Sequence, residues 1–184
     1  MAGSVDSERE LFCVLRAQSG SHEALDELLR VLQDPLFRYI RSLVNDRAQA
    51  EDILQEVFFR IYRKLNWLRE PRALRPWAYQ IASRETFRYL KREKSRNREV
   101  VDDEILESMP FQEARSAFSE ADLRELPELV NRLSPASRAV IVLYYLHELS
   151  INETAAVLEI PVGTVKSRLA YGLACLRRDL GRET

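Results

Sequence analysis

Apolar residues recur at helical spacings along most of the chain, and no sustained alternation of apolar and polar residues predicts a strand. The first run consists of Leu25, Leu28, Leu29, Leu32, Leu36, Ile40, Leu43 and Val44. Pro35 is expected to kink or divide this run. A second, tighter stripe predicts one amphipathic helix with core positions Ile53, Leu54, Val57, Phe58, Ile61, Tyr62 and Leu65. The pattern predicts an all-α protein.

A second helical unit is predicted closer to the C-terminus. Its first stripe contains Leu126, Leu129, Val130 and Leu133, and the Ser134-Pro135 pair then opens a helix with apolar positions Val140, Ile141, Leu143, Tyr144 and Leu146. Between these two units, residues 99–121 are acidic and weakly periodic, as is typical of a linker.

The segment 150–169 has the pattern of a helix-turn-helix. Ser150 and Glu153 form a capping box, and Pro161 suits the first turn of a second helix. Val165 and Leu169 share the inward face of that second helix. The remaining side chains provide donors for phosphates or base edges, namely Thr164, Lys166, Ser167 and Arg168. DNA binding is therefore predicted, although a solvated basic helix would give the same short pattern.

The net charge of −1 hides a strong segregation of charge along the 184 residues. Residues 60–98 contain 13 basic and 3 acidic side chains, a net charge of +10, whereas residues 99–128 contain 2 basic and 10 acidic ones, a net charge of −8. Such asymmetry indicates a polyanion-binding block followed by an acidic segment.

The composition argues against several other classes of protein. Cys13, Cys175, His22 and His147 have no metal-site spacing, and the five glycines form no phosphate-binding loop, so no metal or cofactor is expected. No Ser/His/Asp or Cys/His grouping suggests an enzyme. The polar N-terminus does not resemble a signal peptide, and a reducing cytoplasm is the simplest setting.

The outer face of the second predicted helix carries an aromatic ring among polar groups. This face contains Asp52, Gln55, Glu56, Phe59 and Arg63 at spacings of three and four residues. It suggests a partner surface, although single exposed apolar residues are common.

A loop at 66–75 follows, with one proline inside it and another directly after it. It also contains two anchoring apolar residues and three arginines. The helix predicted at 76–92 then interleaves aromatics with cations, a combination suited to single-stranded nucleic acid. Individual aromatics such as Trp77 and Tyr89 are expected in the core, whereas the basic face as a whole is expected to bind DNA.

The order of these parts resembles the sigma-70 family of bacterial transcription initiation factors, in its small extracytoplasmic-function (ECF) branch. The resemblance covers residues 23–98 and 126–180. It is carried by AEDILQEVFFRIYRKL at 50–65, RPWAYQIA at 75–82, and LS followed by IPVGTVKSRL near the C-terminus. It implies a sigma-2-like helical bundle at 23–98 after an N-terminal segment at 1–22, an acidic linker at 99–123 and a sigma-4-like helix-turn-helix domain at 124–184.

The resemblance also implies a role for each surface, in a protein that is not an enzyme and that directs core RNA polymerase to promoters, with the β′ and β subunits of the core as its partners. The outer face at Asp52 to Arg63 matches the segment that grips the polymerase β′ subunit, and the linker matches the segment that runs through the polymerase interior. Promoter −10 DNA would be contacted by Asn66, Arg69, Arg72, Arg75, Trp77, Arg84, Arg88, Lys91 and Arg92. Promoter −35 DNA would be contacted by Thr164, Lys166, Ser167, Arg168 and Tyr171. An anti-sigma factor is a further expected partner.

Three departures from the family pattern are visible in the sequence. Glu159 stands where such a turn favours a small residue, usually Gly, and Arg84 and Arg88 replace smaller or acidic residues. Residues 170–174 replace a run of arginines, which predicts a shallower salt dependence of −35 binding. Two alternatives therefore stay open: a helix-turn-helix regulator with a helical sensor domain, or a sigma-like interaction protein that does not initiate transcription.

Overall fold

The computed structural model describes residues 2–44, 46–97 and 130–179, and no strand occurs within these ranges. The described ranges contain seven α-helices: α1 Ala2–Gln18, α2 His22–Leu43, α3 Arg47–Lys64, α4 Leu74–Asn97, α5 Pro135–Ile141, α6 Ile151–Leu158 and α7 Val162–Asp179. Short 3₁₀ turns lie at Leu65–Trp67, Pro71–Ala73 and Val130–Arg132, and α5 continues as a π-helical turn at Val142–Leu146. The all-α prediction is confirmed.

Helix α2 runs without interruption through Pro35, so of the two expected effects of this proline, a kink or a division of the run, the division does not occur. An interior proline costs about 3 kcal/mol. Leu28, Leu32 and Leu36 on the same helix are at most 2% exposed, and each fully buried leucine contributes about 1.5–3 kcal/mol. Burial of this face therefore outweighs the lost backbone hydrogen bond.

Helix α1 lies where the sequence predicted no element. It packs against α2 and against the turns that precede α4. Val14 is fully buried and Cys13 nearly so, whereas Phe12 and Leu15 remain exposed. Its mean hydropathy is close to neutral and only a narrow stripe is buried, which explains why periodicity did not reveal it.

Helices α2, α3 and α4 pack against one another and build the first helical unit. Asp46 caps α3 by accepting a hydrogen bond from the Gln49 backbone N–H, 2.8 Å away. The buried stripe of α3 contains Ile53, Leu54, Val57 and Ile61 as predicted. Tyr62, predicted to be core, is 57% exposed, so that prediction was wrong. Tyr62 lies at the edge of the stripe, where the neighbouring elements leave most of its ring uncovered.

The second unit contains α5, α6 and α7, with the N-caps that the sequence predicted. Ser134 caps α5, and Ser150 and Glu153 form the capping box of α6. Val165 and Leu169 are fully buried, which confirms the inward face of α7. The linker at 99–123 and the apolar positions Leu126 and Leu129 lie outside the described residues.

Buried apolar side chains of the two units form one contiguous cluster. Helix α6 packs on α4, and α5 packs on α2. None of the helices in the described ranges is long and apolar enough to cross a membrane. The division into units at 23–98 and 124–184 stays a prediction.

Candidate nucleic-acid and partner interfaces

The outer face of α3 is exposed along its whole length. Asp52, Gln55, Glu56, Phe59 and Arg63 are all solvent-exposed. Phe59 keeps 54% of its surface accessible, and the Arg63 guanidinium lies 5.5 Å from the centre of its ring, within the range of a cation–π contact. The face therefore presents an aromatic ring between carboxylates and a cation.

The loop between α3 and α4 has buried anchors and an exposed tip. Leu68 and Leu74 are buried and hold the loop to the core, whereas Trp67 is 82% exposed. Sequence reasoning did not single out Trp67, although its place among polar and basic residues was a signal for it. The predicted DNA-binding side chains Asn66, Arg69 and Arg72 are exposed around it.

A side chain from α1 holds this loop. The Gln18 side-chain amide Nε2 donates hydrogen bonds to the carbonyl oxygens of Leu65 and Leu68, at 2.8 Å and 2.9 Å. These two carbonyls stand on either side of Trp67 in the chain. Gln18 was not among the predicted site residues, because a contact across 47 residues leaves no mark in local sequence patterns.

The predicted DNA-binding arginines of α4 are exposed but engaged in ion pairs. Arg75 Nε donates to the Glu10 carboxylate, with distances of 3.0 Å and 3.1 Å to its two oxygens. Arg88 pairs with Glu85, whose carboxylate also contacts Arg60. Because Glu85 is only 8% exposed, its charge needs such partners. Lys91 and Arg92 are exposed, whereas Trp77 is half-buried against the core.

Arg84 reaches from α4 to the turn of the helix-turn-helix. Its Nε lies 3.0 Å from Glu159 Oε2, and its Nη2 contacts the second carboxylate oxygen. The hydrogen bond from Arg84 lowers the pKa of Glu159, and the same bond raises the pKa of Arg84. Both side chains are about half exposed.

The backbone of Glu159 explains why the family pattern favours a small residue there. Glu159 ends α6 in the left-handed conformation, with φ of 56° and ψ of 40°. Such a backbone favours glycine, because other L-residues adopt it with strain. The chain adopts this conformation at Glu159 although the residue carries a side chain.

The recognition helix α7 presents fewer free donors than the sequence predicted. Lys166 is exposed, whereas Thr164, Ser167, Arg168 and Tyr171 are half-buried. The Ser167 hydroxyl donates to the Gly163 carbonyl oxygen at 3.0 Å, as polar side chains within helices often do. Lys166 is therefore the most exposed of the five side chains predicted to contact −35 DNA, and the assignment of all five stays a prediction.

The residues that replace the expected arginine run lie against the core. Ala170 and Leu173 are buried. A Cβ atom on Gly172 would lie 2.9 Å from Ile141 Cγ1, closer than real side-chain contacts allow. Close packing of α7 on α5 therefore accounts for the glycine at 172.

Two buried polar contacts join the second unit to the first. The Tyr79 hydroxyl lies 2.6 Å from His147 Nδ1, and Arg138 Nη1 donates to the Ser42 carbonyl oxygen at 2.8 Å. Burial lowers the pKa of His147 to about 4, and Arg38 and Arg75 add to the shift. The imidazole is therefore neutral at pH 7.

Comparisons with known proteins match both units. The sigma-70 region 2 model matches residues 28–96, and the sigma-70 region 4 model matches residues 123–176. The chain is 30% identical to the ECF RNA polymerase sigma factor SigW of Bacillus subtilis over 177 residues, covering 91% of this chain and 94% of that protein. It is 32% identical to the RNA polymerase sigma-E factor of Streptomyces coelicolor over 155 residues, covering 84% and 85%.

Two solved structures share the fold. The structure of CnrH in complex with the cytosolic domain of CnrY matches with a TM-score of 0.67 at 23% identity, covering 96% of this chain and 99% of that one. The sigma factor RpoE in complex with the anti-sigma factor NepR from Bartonella quintana matches with a TM-score of 0.66 at 23% identity, covering 86% and 97%.

Proposed function

Because this chain belongs to the sigma-70 family, in its ECF branch, we propose that three of its described surfaces divide the contacts of promoter recognition among them. The chain is a sigma factor that directs core RNA polymerase to promoters. Sigma factors are initiation factors, and we assign catalysis to the polymerase and none to this chain. The three surfaces are the outer face of α3, the loop at 66–75 with α4, and the exposed side of α7.

The outer face of α3 is proposed to bind the β′ subunit of core polymerase. The observation that carries this assignment is the joint exposure of Asp52, Gln55, Glu56, Phe59 and Arg63 within the region 2 match. An aromatic ring flanked by charges is typical of the few residues that dominate binding energy at an interface. Tyr62, exposed on the neighbouring position, enlarges the apolar part of this surface.

Reversing the charge of this face tests the polymerase contact. The variant Asp52→Lys/Glu56→Lys is expected to weaken core binding at least tenfold, because charge complementarity is replaced by repulsion. A matched double reversal at two exposed acids of α2, Glu23→Lys/Asp26→Lys, has the same net charge and is expected to bind core normally. Binding is measured by titrating labelled chain with purified core polymerase. Equal affinity of the two variants would contradict the assignment.

The loop at 66–75 and α4 are proposed to capture unpaired −10 DNA. Trp67 offers a fully accessible ring for stacking on a base, while Asn66, Arg69 and Arg72 surround it with donors for the strand. Lys91 and Arg92 extend the basic surface along α4. Arg75, Arg84 and Arg88 belong to the same surface, but each would first have to exchange a carboxylate partner for a phosphate.

The exposed side of α7 is proposed to contact −35 DNA. Lys166 is an accessible cation in the N-terminal part of α7, and Thr164, Ser167, Arg168 and Tyr171 are partly accessible. Replacing Lys166 and Arg168 together with Ala is expected to remove protection of the −35 element in a footprint of the holoenzyme. Retained protection there would contradict this assignment.

Run-off transcription with purified core polymerase on a genomic library tests the function as a whole. Core alone and core with this chain are compared, and new start sites are expected only with the chain. A helix-turn-helix regulator would bind duplex DNA without polymerase, and a non-initiating interaction protein would bind core without new start sites. The recovered promoters also supply the sequences needed for the experiments below.

A protein regulator is proposed as a further partner. Two structures of the same fold contain a bound partner, which is CnrY in one and the anti-sigma factor NepR in the other. We propose that an anti-sigma factor likewise binds this chain. Co-purification of a protein that blocks core binding would support this, whereas purification of the chain from its source always bound to core would count against it.

A further inference from the structure

Helix α1 lies outside the region 2 match, which begins at residue 28, yet two of its side chains reach the proposed −10 surface. Gln18 Nε2 bonds the carbonyl oxygens of Leu65 and Leu68, and Glu10 pairs with Arg75 at the other end of the loop. The loop is thus held at its start by an amide and at its end by a carboxylate. Its tip, Trp67, lies between the two carbonyls that Gln18 binds.

We propose that Gln18 is a positioning residue for −10 recognition, which sets the loop so that Trp67 faces the captured strand. The inference rests on the proposed function of this surface. One backbone hydrogen bond closes this 3₁₀ turn, from the Leu68 N–H to the Leu65 carbonyl oxygen at 3.0 Å, and such a short turn is not stable alone. Two hydrogen bonds from one side chain fix this turn and therefore reduce the conformational entropy lost when a base stacks on Trp67.

Two substitutions of similar size separate the donor role of Gln18 from its packing. In Gln18→Glu an ionised carboxylate replaces the amide and offers no donor, whereas Gln18→Lys supplies an ammonium with three donors. Holoenzymes carrying each variant are titrated with a labelled single-stranded oligonucleotide that spans the −10 element of a recovered promoter. Gln18→Glu is expected to weaken binding about five- to tenfold, and Gln18→Lys to restore it to within twofold.

Each outcome of this experiment is informative. Unchanged binding by Gln18→Glu, or equal weakening by both variants, would overturn the positioning role. Binding of −35 duplex to the same holoenzymes is expected to stay unchanged, since α7 is remote in sequence and in its contacts. If the wild-type holoenzyme itself did not bind the oligonucleotide, the proposed −10 function would fail rather than the role of Gln18.

Discussion

Acidic pH is expected to lower the free energy of unfolding through protonation of His147, because this imidazole is largely buried where the two units meet. Burial holds the pKa of His147 at about 4 in the folded state, against an ordinary value of about 6.5. The charges and titratable groups around it are Arg38 on α2, Arg75 on α4 and the Tyr79 hydroxyl. A proton on the imidazole would remove the acceptor at Nδ1 and place a third positive charge beside two arginines.

The direction of the effect follows from proton binding. Between pH 6.5 and 4 the unfolded chain binds a proton at His147 that the folded chain excludes. The contribution of the neutral imidazole to the free energy of unfolding is therefore fully present above pH 6.5 and is lost as the pH drops toward 4. A difference of 2.5 between the two pKa values corresponds to an upper limit of about 3 kcal/mol. Between pH 7.5 and 5.0 the expected loss is about 2 kcal/mol.

Two measurements check this reasoning. The pKa of His147 is measured by an NMR titration of its imidazole protons, whose signals are assigned by replacing the other of the two histidines, His22. Urea unfolding at pH 7.5 and 5.0 is then compared between wild type and His147→Asn, whose amide oxygen keeps an acceptor near the Nδ1 position but does not titrate. The free energy of unfolding of wild type is expected to fall by about 2 kcal/mol between the two pH values, and that of the variant is expected not to show this decrease. A measured pKa of 6 or more, or equal pH dependence of the two chains, would refute the argument.

Two further predictions concern packing in the second unit. Gly172→Ala is expected to destabilise the chain by about 1 kcal/mol, because the new Cβ would press on Ile141. Gly163→Ala in the same helix meets no atom within 4 Å and is expected to stabilise by about 0.5–1 kcal/mol; a melting temperature of Gly172→Ala at or above that of Gly163→Ala would contradict this. Arg138→Met is expected to cost about 3 kcal/mol in urea unfolding, since it removes a buried cation that serves three carbonyls, including that of Ser42. A cost below about 1 kcal/mol would show that these bonds add little net stability.

Local features of the fold could be predicted from the sequence, because each depends on neighbouring residues. The stripe of α3, the Ser150–Glu153 capping box and the inward pair Val165 and Leu169 all follow from helical spacing or cap chemistry. The helix-turn-helix boundaries could be predicted for the same reason. Helix α1 could not, since it buries only a narrow stripe against α2.

The long-range ion pairs and hydrogen bonds of the candidate site could not be predicted, because they join residues that are distant in the sequence. Gln18 reaches a loop 47 residues away, and Arg84 reaches Glu159 across 75 residues. Exposure at the edges of a stripe also escaped prediction: Tyr62 follows the core spacing of α3 yet lies outside the core. Spacing places a side chain on a helix face, but the neighbouring elements decide whether that face is covered.

The departures from the family pattern acquire a common explanation from these long-range contacts. In the sequence, Arg84 and Glu159 are two separate departures from the family pattern. Arg84 lies on the helix proposed to bind −10 DNA, and Glu159 lies in the turn before the helix proposed to bind −35 DNA. In the fold each is the partner of the other, and the strained backbone of Glu159 places its carboxylate at the contact between the units. Gly172, which stands where the family has arginines, likewise serves close packing of α7 on Ile141. Arg84 and Glu159 therefore depart from the family pattern as a pair, because each side chain supplies one half of an ion pair between the two units.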